Sequence, residues 1–101
     1  MEALQTLADP VRLAIVEALA TEPASVAVLA DRFPISRPAV SRHLKLLKEA
    51  GLVDSISDGT RRIYRVRPEG IAELREYMEQ LWREAATRYT LVAENLSGPN
   101  R

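Results

Sequence analysis

"SRPAVSRHLKLLKEAGLV", residues 36–53, combines a row of leucines with basic and hydroxyl side chains and carries a glycine near its end. Placed at about 100° per residue, the apolar side chains gather on one side of a helix and most polar ones on the other. The apolar side holds Val40, His43, Leu44, Leu46, Leu47 and Ala50. The polar side holds Pro38, Ser41, Arg42, Lys45, Lys48 and Glu49. The pattern predicts a helix over residues 36–50, capped by Ser36 and ended by Gly51, with a mostly basic face pointing outward.

A second short helix is predicted directly before this one. Ser25 can cap "VAVLADRF", residues 26–33, in which apolar residues recur at helical spacing. Pro34 ends that helix, because the residue before a proline is pushed away from helical dihedral angles. Only Pro34 and Ile35 separate it from Ser36, so the two helices are expected to form a helix-turn-helix.

Two further helices are predicted nearer the N-terminus. "EALQTLA", residues 2–8, has its two leucines three residues apart and stops at Asp9. The Asp9 carboxylate can accept a backbone hydrogen bond at the start of the next helix, and Pro10 has no N–H to lose there. The next helix is therefore expected over about residues 10–20.

A β-hairpin is predicted after Gly51. "LVDSIS", residues 52–57, and "TRRIYRV", residues 60–66, are two short extended segments around an Asp-Gly dipeptide at positions 58 and 59. Asp-Gly favours a two-residue turn in which both central residues have positive φ. One side of the second strand is largely apolar and the other largely basic, so the hairpin is expected to be a basic wing.

Length and composition limit the class of protein. With 101 residues and 47% hydrophobic composition, the chain suits one small domain, expected over residues 1–96 and followed by a flexible tail at 97–101. Charged residues make up 28% and no apolar run is long enough to cross a bilayer, so we expect a soluble, cytoplasmic protein without membrane contact. The absence of cysteine excludes disulfides, thiolate ligands and thiol redox sensing.

The charges are unevenly distributed although the formal net charge is zero. Residues 36–67 hold eight basic and three acidic side chains and carry +5, while residues 1–35 carry −3 and residues 68–101 carry −2. A neutral chain with one concentrated basic segment can still present a face that binds a polyanion.

The order of these elements resembles that of the ArsR/SmtB-type winged helix-turn-helix repressors. The similarity rests on "LADPVRLAIVEAL" (7–19), on residues 36–53, on "DGTRRIYRV" (58–66) and on the position of a long last helix, and it covers nearly the whole chain. It implies a mainly α fold with a small β-hairpin wing. It also implies a bacterial or archaeal homodimer that places its recognition helices in successive major grooves of a near-palindromic operator in double-stranded DNA.

The resemblance also implies a set of residues nearest the base edges. They are Ser36, Arg37, Pro38, Ser41 and Arg42. The chemistry agrees, because arginine can bond a guanine edge bidentately and small hydroxyls let a helix approach closely. Lys45, Lys48, Arg61 and Arg62 are expected to contact phosphates, which supply affinity but little sequence choice. The alternative is a solvated polar face, and Arg65 and Arg67 suit intrachain pairing as well as DNA contact.

The last helix, expected over about residues 69–95, is too long for its apolar stripe to be covered by so small a domain. We expect a second copy of the chain to cover the rest of the stripe, and the resemblance also implies a dimer. The predicted dimer interface comprises Leu4, Leu7, Leu74, Met78, Leu81 and Ala85. The alternative is an intrachain core helix with a frayed end. Trp82 and Tyr89 could line an effector pocket at that interface, but aromatic core packing is the favoured role.

Metal sensing is not expected. Many relatives bind metals through cysteines on the helix-turn-helix or through aspartate and histidine on the last helix, whereas "SVAVLADRF" (25–33) has no thiol and the last helix has no histidine. The chain therefore resembles the relatives that lack metal-binding residues, and we expect no cofactor. The single histidine, His43, is assigned a structural role in preference to a DNA contact or a ligand.

The sequence thus predicts a homodimeric, sequence-specific transcriptional repressor. One alternative is a winged-helix module that binds only protein partners, and another is a MarR-like regulator. An enzyme is the weakest alternative, because the chain shows no catalytic residues: it has no convergent acid pair and no glycine-rich phosphate loop.

Overall fold

The computed structural model describes residues 1–96 of the chain. Within those residues the chain forms five α helices and one two-stranded antiparallel sheet. In chain order these are α1 (Glu2–Thr6), α2 (Pro10–Thr21), α3 (Val26–Arg32), α4 (Arg37–Glu49), β1 (Val53–Asp58), β2 (Arg61–Val66) and α5 (Pro68–Leu96). The winged helix-turn-helix architecture is confirmed. The expected tail at 97–101 lies outside the described residues.

Asp9 caps α2 as predicted. Its side chain accepts hydrogen bonds from the backbone N–H groups of Val11, at 2.8 Å, and Arg12, at 3.1 Å. The bond from the Arg12 N–H is the largest cause that holds the pKa of Asp9 below its usual value. The Arg12 side chain in turn donates to the Thr6 carbonyl oxygen at 2.7 Å, which ties the start of α2 to the end of α1.

Serine side chains start both helices of the helix-turn-helix. Ser25 Oγ accepts from the Val28 N–H and Ser36 Oγ from the Ala39 N–H, each at 3.3 Å. Ser25 is buried, whereas Ser36 is exposed to solvent. The predicted caps are therefore confirmed, and the start of α4 is open to solvent.

The core forms where α2, α3 and α4 meet the base of the hairpin. Its fully buried large side chains are Ile15, Leu29, Val40, Leu44, Leu47, Leu52 and Val53. The apolar side predicted for α4 is thus confirmed at its centre. Leu46 is an exception, because it lies at the edge of that side and is 39% exposed.

The hairpin is present, but its turn lies one residue later than predicted. Asp58 pairs with Arg61 in the ladder, which leaves Gly59 and Thr60 as the two turn residues. Gly59 has a φ of 65°, and within residues 1–96 positive φ occurs only at glycines. Positive φ at the first turn residue alone is the pattern of a type II′ turn, whereas Asp-Gly at both central positions would have required two such residues.

One backbone pairing outside the two-stranded hairpin was not predicted from the sequence. Ala24, just before the Ser25 cap, pairs with Tyr64 of β2 as an isolated antiparallel bridge. The Ala24 N–H donates to the Tyr64 carbonyl oxygen at 3.0 Å, and the Tyr64 N–H donates back at 2.8 Å. The wing is therefore fixed to the start of α3 as well as to the end of α4.

α5 leaves the core soon after it begins. Its first turn packs against the turn after α4, where Gly70 is buried. Between Glu79 and Leu96 every side chain is exposed except the half-buried Ala93. None of the helices within residues 1–96 has the length and hydropathy needed to cross a membrane.

Candidate nucleic-acid interface

The nine side chains proposed to contact nucleic acid all lie at the surface. Seven belong to α4 or its cap and two to β2, and each is exposed: Ser36, Arg37, Pro38, Ser41, Arg42, Lys45, Lys48, Arg61 and Arg62. The opposite side of α4 is buried through Val40, Leu44 and Leu47. The core thus fixes the helix by one side while the polar side stays available to a ligand.

The N-terminal end of α4 is suited to an anion. Arg37 and Pro38 occupy the first helical positions directly after the Ser36 cap. Unpaired backbone N–H groups at a helix start carry partial positive charge, which favours phosphate. Ser41 and Arg42 follow about one turn later, so hydroxyl and guanidinium groups lie beside that end of the helix.

The basic side chains of α4 are not neutralised within the described chain. Across residues 1–96, no carboxylate forms an ion pair with Arg37, Arg42, Lys45 or Lys48. Five arginines elsewhere do form such pairs: Arg12, Arg32, Arg61, Arg65 and Arg67. The positive charge of these α4 side chains is therefore not compensated by an ion pair within residues 1–96.

The two arginines at the start of β2 point to opposite faces of the hairpin. Arg62 shares a face with Ser55 and Tyr64, because cross-strand partners project the same way and side chains alternate along a strand. Its guanidinium donates to Ser55 Oγ at 3.2 Å. Arg61 lies on the other face and pairs with Asp58 at 3.7 Å. Arg61 and Arg62 are thus neighbours in the sequence but lie on opposite faces of the hairpin.

Ser55 connects the wing to α4. Its Oγ accepts a hydrogen bond from Lys48 Nζ at 3.3 Å in addition to the bond from Arg62. Sequence reasoning missed this residue, although the alternation along β1 places it on the same face as the buried Val53. Lys48 and Arg62 are therefore brought together, while Arg61 lies apart near the tip of the wing.

Arg65 and Arg67 serve the fold. Arg65 Nε donates to an Asp54 carboxylate oxygen at 2.7 Å, and this bond raises the already high pKa of Arg65. Arg67 donates to the Gly51 carbonyl oxygen at 3.3 Å and lies 4.0 Å from a Glu69 carboxylate oxygen. Of the two roles that the sequence allowed, intrachain pairing is the one observed.

His43 is half-buried on the side of α4 opposite the basic face. Its Nδ1 is buried and has no hydrogen-bond partner among the described residues. Within residues 1–96 there is also no group of three or more histidine, cysteine, aspartate or glutamate residues arranged to hold a metal ion. The surface chemistry is therefore that of hydrogen-bond donors and positive charges.

The residues proposed for dimerisation lie on α1 and α5, except Leu7, which is the C-cap of α1, and the two helices contact each other. Leu7, Leu74 and Met78 are half-buried, whereas Leu4, Leu81 and Ala85 are exposed. Trp82 and Tyr89 are 68% and 76% exposed, so the expectation that they pack in the core is wrong for residues 1–96 of this chain. An apolar surface therefore begins beside α1 and continues along α5, and no element within residues 1–96 covers it.

Comparisons with known proteins agree with this architecture. The helix-turn-helix domain family matches residues 7–56. The HTH-type transcriptional regulator Rv2034 of Mycobacterium tuberculosis is 48% identical over 93 residues, which cover 92% of this chain and 87% of the relative. Among solved structures, an ArsR-like transcriptional regulator from Rhodococcus sp. RHA1 superposes with a TM-score of 0.82 at 26% identity, covering 97% of this chain and 92% of that one.

A second solved structure adds information on assembly. The winged helix-turn-helix DNA-binding domain of a possible ArsR-family regulator from Mycobacterium bovis is homodimeric in solution. It superposes with a TM-score of 0.67 at 29% identity, covering 86% of this chain and 81% of that one.

Proposed function

The chain belongs to the ArsR/SmtB-type family of winged helix-turn-helix transcriptional regulators, and on that premise we propose that it is a homodimeric repressor that binds a near-palindromic DNA operator. The observation that carries this proposal is the exposed side of α4, whose four cations have no ion-pair partner within residues 1–96. Such a surface attracts polyanions and complements the charge of the DNA backbone.

Base recognition is assigned to the N-terminal half of α4. Ser36, Arg37, Pro38, Ser41 and Arg42 are the proposed contacts in the major groove. A major groove admits an α helix end-on or along its length, and arginine pairs bidentately with the O6 and N7 atoms of guanine. Phosphate contacts are assigned to Lys45, Lys48, Arg61 and Arg62.

Dimerisation sets the spacing of the two recognition helices. In the proposed homodimer the apolar surfaces of α1 and α5 pack against those of a second copy, and the two α4 helices lie about 34 Å apart, one turn of DNA. A two-fold dimer reads the same sequence twice in opposite directions, which is why the operator is expected to be near-palindromic.

Selection of bound fragments from random DNA tests the proposal directly. The wild-type chain is expected to enrich one near-palindromic sequence. Arg37→Ala and Arg42→Ala are each expected to change the preferred bases, because a lost bidentate contact costs about 1–3 kcal/mol of discrimination. Arg83→Ala, on the exposed polar side of α5, is the control and should leave the preference unchanged.

The outcomes separate the possible functions. If the Arg37 and Arg42 variants lose affinity equally on the selected and on scrambled DNA, α4 grips the backbone without reading bases. If the wild-type chain enriches no sequence and shows no salt-dependent affinity for DNA, a winged-helix module for protein partners takes the place of the repressor.

A further inference from the structure

Two cations from different elements donate to one neutral oxygen atom. Lys48, in the last turn of α4, and Arg62, on β2, both lie within hydrogen-bond distance of Ser55 Oγ, at 3.3 Å and 3.2 Å. A serine hydroxyl oxygen has two lone pairs and can accept both bonds at once. The two positive groups therefore converge on the gap between the recognition helix and the wing.

This arrangement lacks the carboxylate that accompanies the other arginines of the hairpin. Arg61 is paired with Asp58 and Arg65 with Asp54, whereas neither Lys48 nor Arg62 forms an ion pair within residues 1–96. Two like charges held close together repel each other. The partial negative charge at the C-terminal end of α4 relieves this for Lys48 only. An anion bound between them would neutralise both.

We propose that Lys48 and Arg62 hold a single DNA phosphate jointly, and that Ser55 is the residue that positions them. This inference rests on the proposed DNA-binding function and gives it one specific site. The ammonium and guanidinium groups supply charge-assisted donors, and the Ser55 O–H remains free to donate a third bond because its oxygen accepts from the other two.

The shared site would fix the angle between the recognition helix and the wing on DNA. A phosphate bound by both elements cannot be reached if either one tilts away, so binding there sets the depth of α4 in the groove. The site reads no base, because a phosphodiester has the same structure at every position. Its contribution should therefore be equal on operator and on random DNA.

A double-mutant cycle on the full chain tests the shared phosphate. Affinity for a random-sequence duplex is measured across a salt series for Lys48→Ala, Arg62→Ala and the double variant. Each phosphate neutralised contributes about 0.9 to the slope of log affinity against log salt. The Lys48/Arg62 double variant should therefore lower the slope by about one unit, because a single phosphate is lost. Either single variant of the proposed pair leaves the shared phosphate held by the other cation, so its slope change should be well under one unit and the two changes should not add up to that of the double variant.

In the control cycle, Lys45 is mutated together with Arg62 and Lys48 is left unchanged. Lys45 lies on the same exposed side of α4 but makes no hydrogen bond to Ser55. In this cycle the slope change of Lys45→Ala with Arg62→Ala should equal the sum of its two single changes, because Lys45 contacts a separate phosphate.

Ser55 is tested by its own variants. Ser55→Ala keeps both charges, so the salt slope should stay the same while affinity falls about 2- to 10-fold through loss of the positioning bonds. Ser55→Thr retains the hydroxyl and should restore affinity. Ser57→Ala, on the same strand and face but without a side-chain hydrogen bond among residues 1–96, is the matched control and should bind as wild type.

Two results would overturn the inference in different ways. If the Lys48/Arg62 double variant loses about two slope units and Ser55→Ala binds as wild type, the two cations contact separate phosphates, and the proposed DNA-binding function stands. If none of these variants changes DNA binding, the shared site is wrong; if the wild-type chain itself shows no salt-dependent affinity for DNA, the proposed function fails as well.

Discussion

Gly70 allows the first turn of α5 to lie directly against the end of α4. A β-carbon built on Gly70 would lie 1.9 Å from the Gly51 carbonyl oxygen and 2.9 Å from its carbon atom. Both atoms belong to the backbone and cannot rotate away as a side chain would. The same carbonyl oxygen accepts the hydrogen bond from Arg67. The helix proposed to meet DNA and the helix proposed to form the dimer are thus connected through two glycines.

Gly70→Ala is therefore expected to destabilise the fold. Relief of the clash requires a backbone shift, which costs about 1–3 kcal/mol, and the better helix propensity of alanine returns about 1 kcal/mol at most. Urea unfolding at a fixed protein concentration measures the difference in the free energy of unfolding.

Gly59→Ala is the comparison for this prediction. No atom lies within 4 Å of the added β-carbon at Gly59, and only its positive φ of 65° opposes the change. The loss there should be about 1 kcal/mol and should leave the contact between α4 and α5 intact. A Gly70→Ala variant as stable as wild type would show that the two turns can separate without cost.

At the scale of elements, the helices were predictable because their signals are local. The Asp9, Ser25 and Ser36 caps stand directly before the apolar periodicity that each begins, and Pro34 marks the end of α3. The leucines of α4 recur at the helical period, so the buried side follows from the sequence alone. The resemblance to the ArsR/SmtB-type repressors then implied which of the exposed residues of this helix lie nearest the bases.

What the sequence could not supply depends on tertiary contacts. The pairing of Ala24 with Tyr64 joins positions 40 residues apart, and nothing in either segment indicates the partner. The shift of the turn is a local exception: Asp58 pairs with Arg61 in the ladder, so Gly59 and Thr60 form the turn although Asp-Gly is the usual signal. Ser55 is an ordinary strand serine in the sequence and gains its role only where β1 passes the end of α4.

Ser36 has two proposed roles, as the cap of α4 and as a DNA contact, and substitutions can separate them. Ser36→Ala removes the cap bond to the Ala39 N–H and should cost about 1 kcal/mol of stability. Ser36→Asp keeps a good capping group and adds a negative charge at a helix start, so stability should be maintained.

DNA affinity should respond in the opposite order to stability at this position. The carboxylate introduced by Ser36→Asp would face the phosphate backbone and repel it, so this variant should bind DNA more weakly than Ser36→Ala at the same salt concentration. Thermal unfolding and DNA titration of both variants check this. If Ser36→Asp binds as well as wild type, the start of α4 does not approach the phosphate backbone or the bases.

At the scale of the whole molecule, α5 is long relative to the rest of the domain. Its 29 residues span about 43 Å, and the molecule measures 72 × 26 × 21 Å. Apolar residues recur along it at spacings of three and four, which average close to the 3.6-residue helical period and so keep to one side of a straight helix. They are Ile71, Leu74, Met78, Leu81, Ala85, Tyr89, Val92 and Leu96.

Among the described residues, 1–96, the chain covers only the beginning of this stripe. Ile71 packs against the core, whereas Leu81, Val92 and Leu96 are 43%, 56% and 80% exposed. A contiguous apolar surface of this kind is typical of an interface. In a two-fold dimer the same stripe on a second copy covers it, and the pairing brings two recognition helices to one DNA site.

Leu81→Glu is therefore expected to weaken the dimer and DNA binding together. A carboxylate placed in the apolar seam would have to be desolvated without a partner, which should raise the dimer dissociation constant on the order of 100-fold. A monomer holds one half-site instead of two, so affinity for the selected operator should fall by a similar or larger factor.

Leu91→Glu is the matched control, because Leu91 is an exposed leucine of the same helix that lies about 130° round from the centre of the stripe. Sedimentation at micromolar concentration and operator titration should show Leu91→Glu as a dimer with wild-type affinity. A Leu81→Glu variant that stays dimeric would place the interface elsewhere on the molecule, and one that becomes monomeric yet keeps its operator affinity would separate dimerisation from DNA recognition.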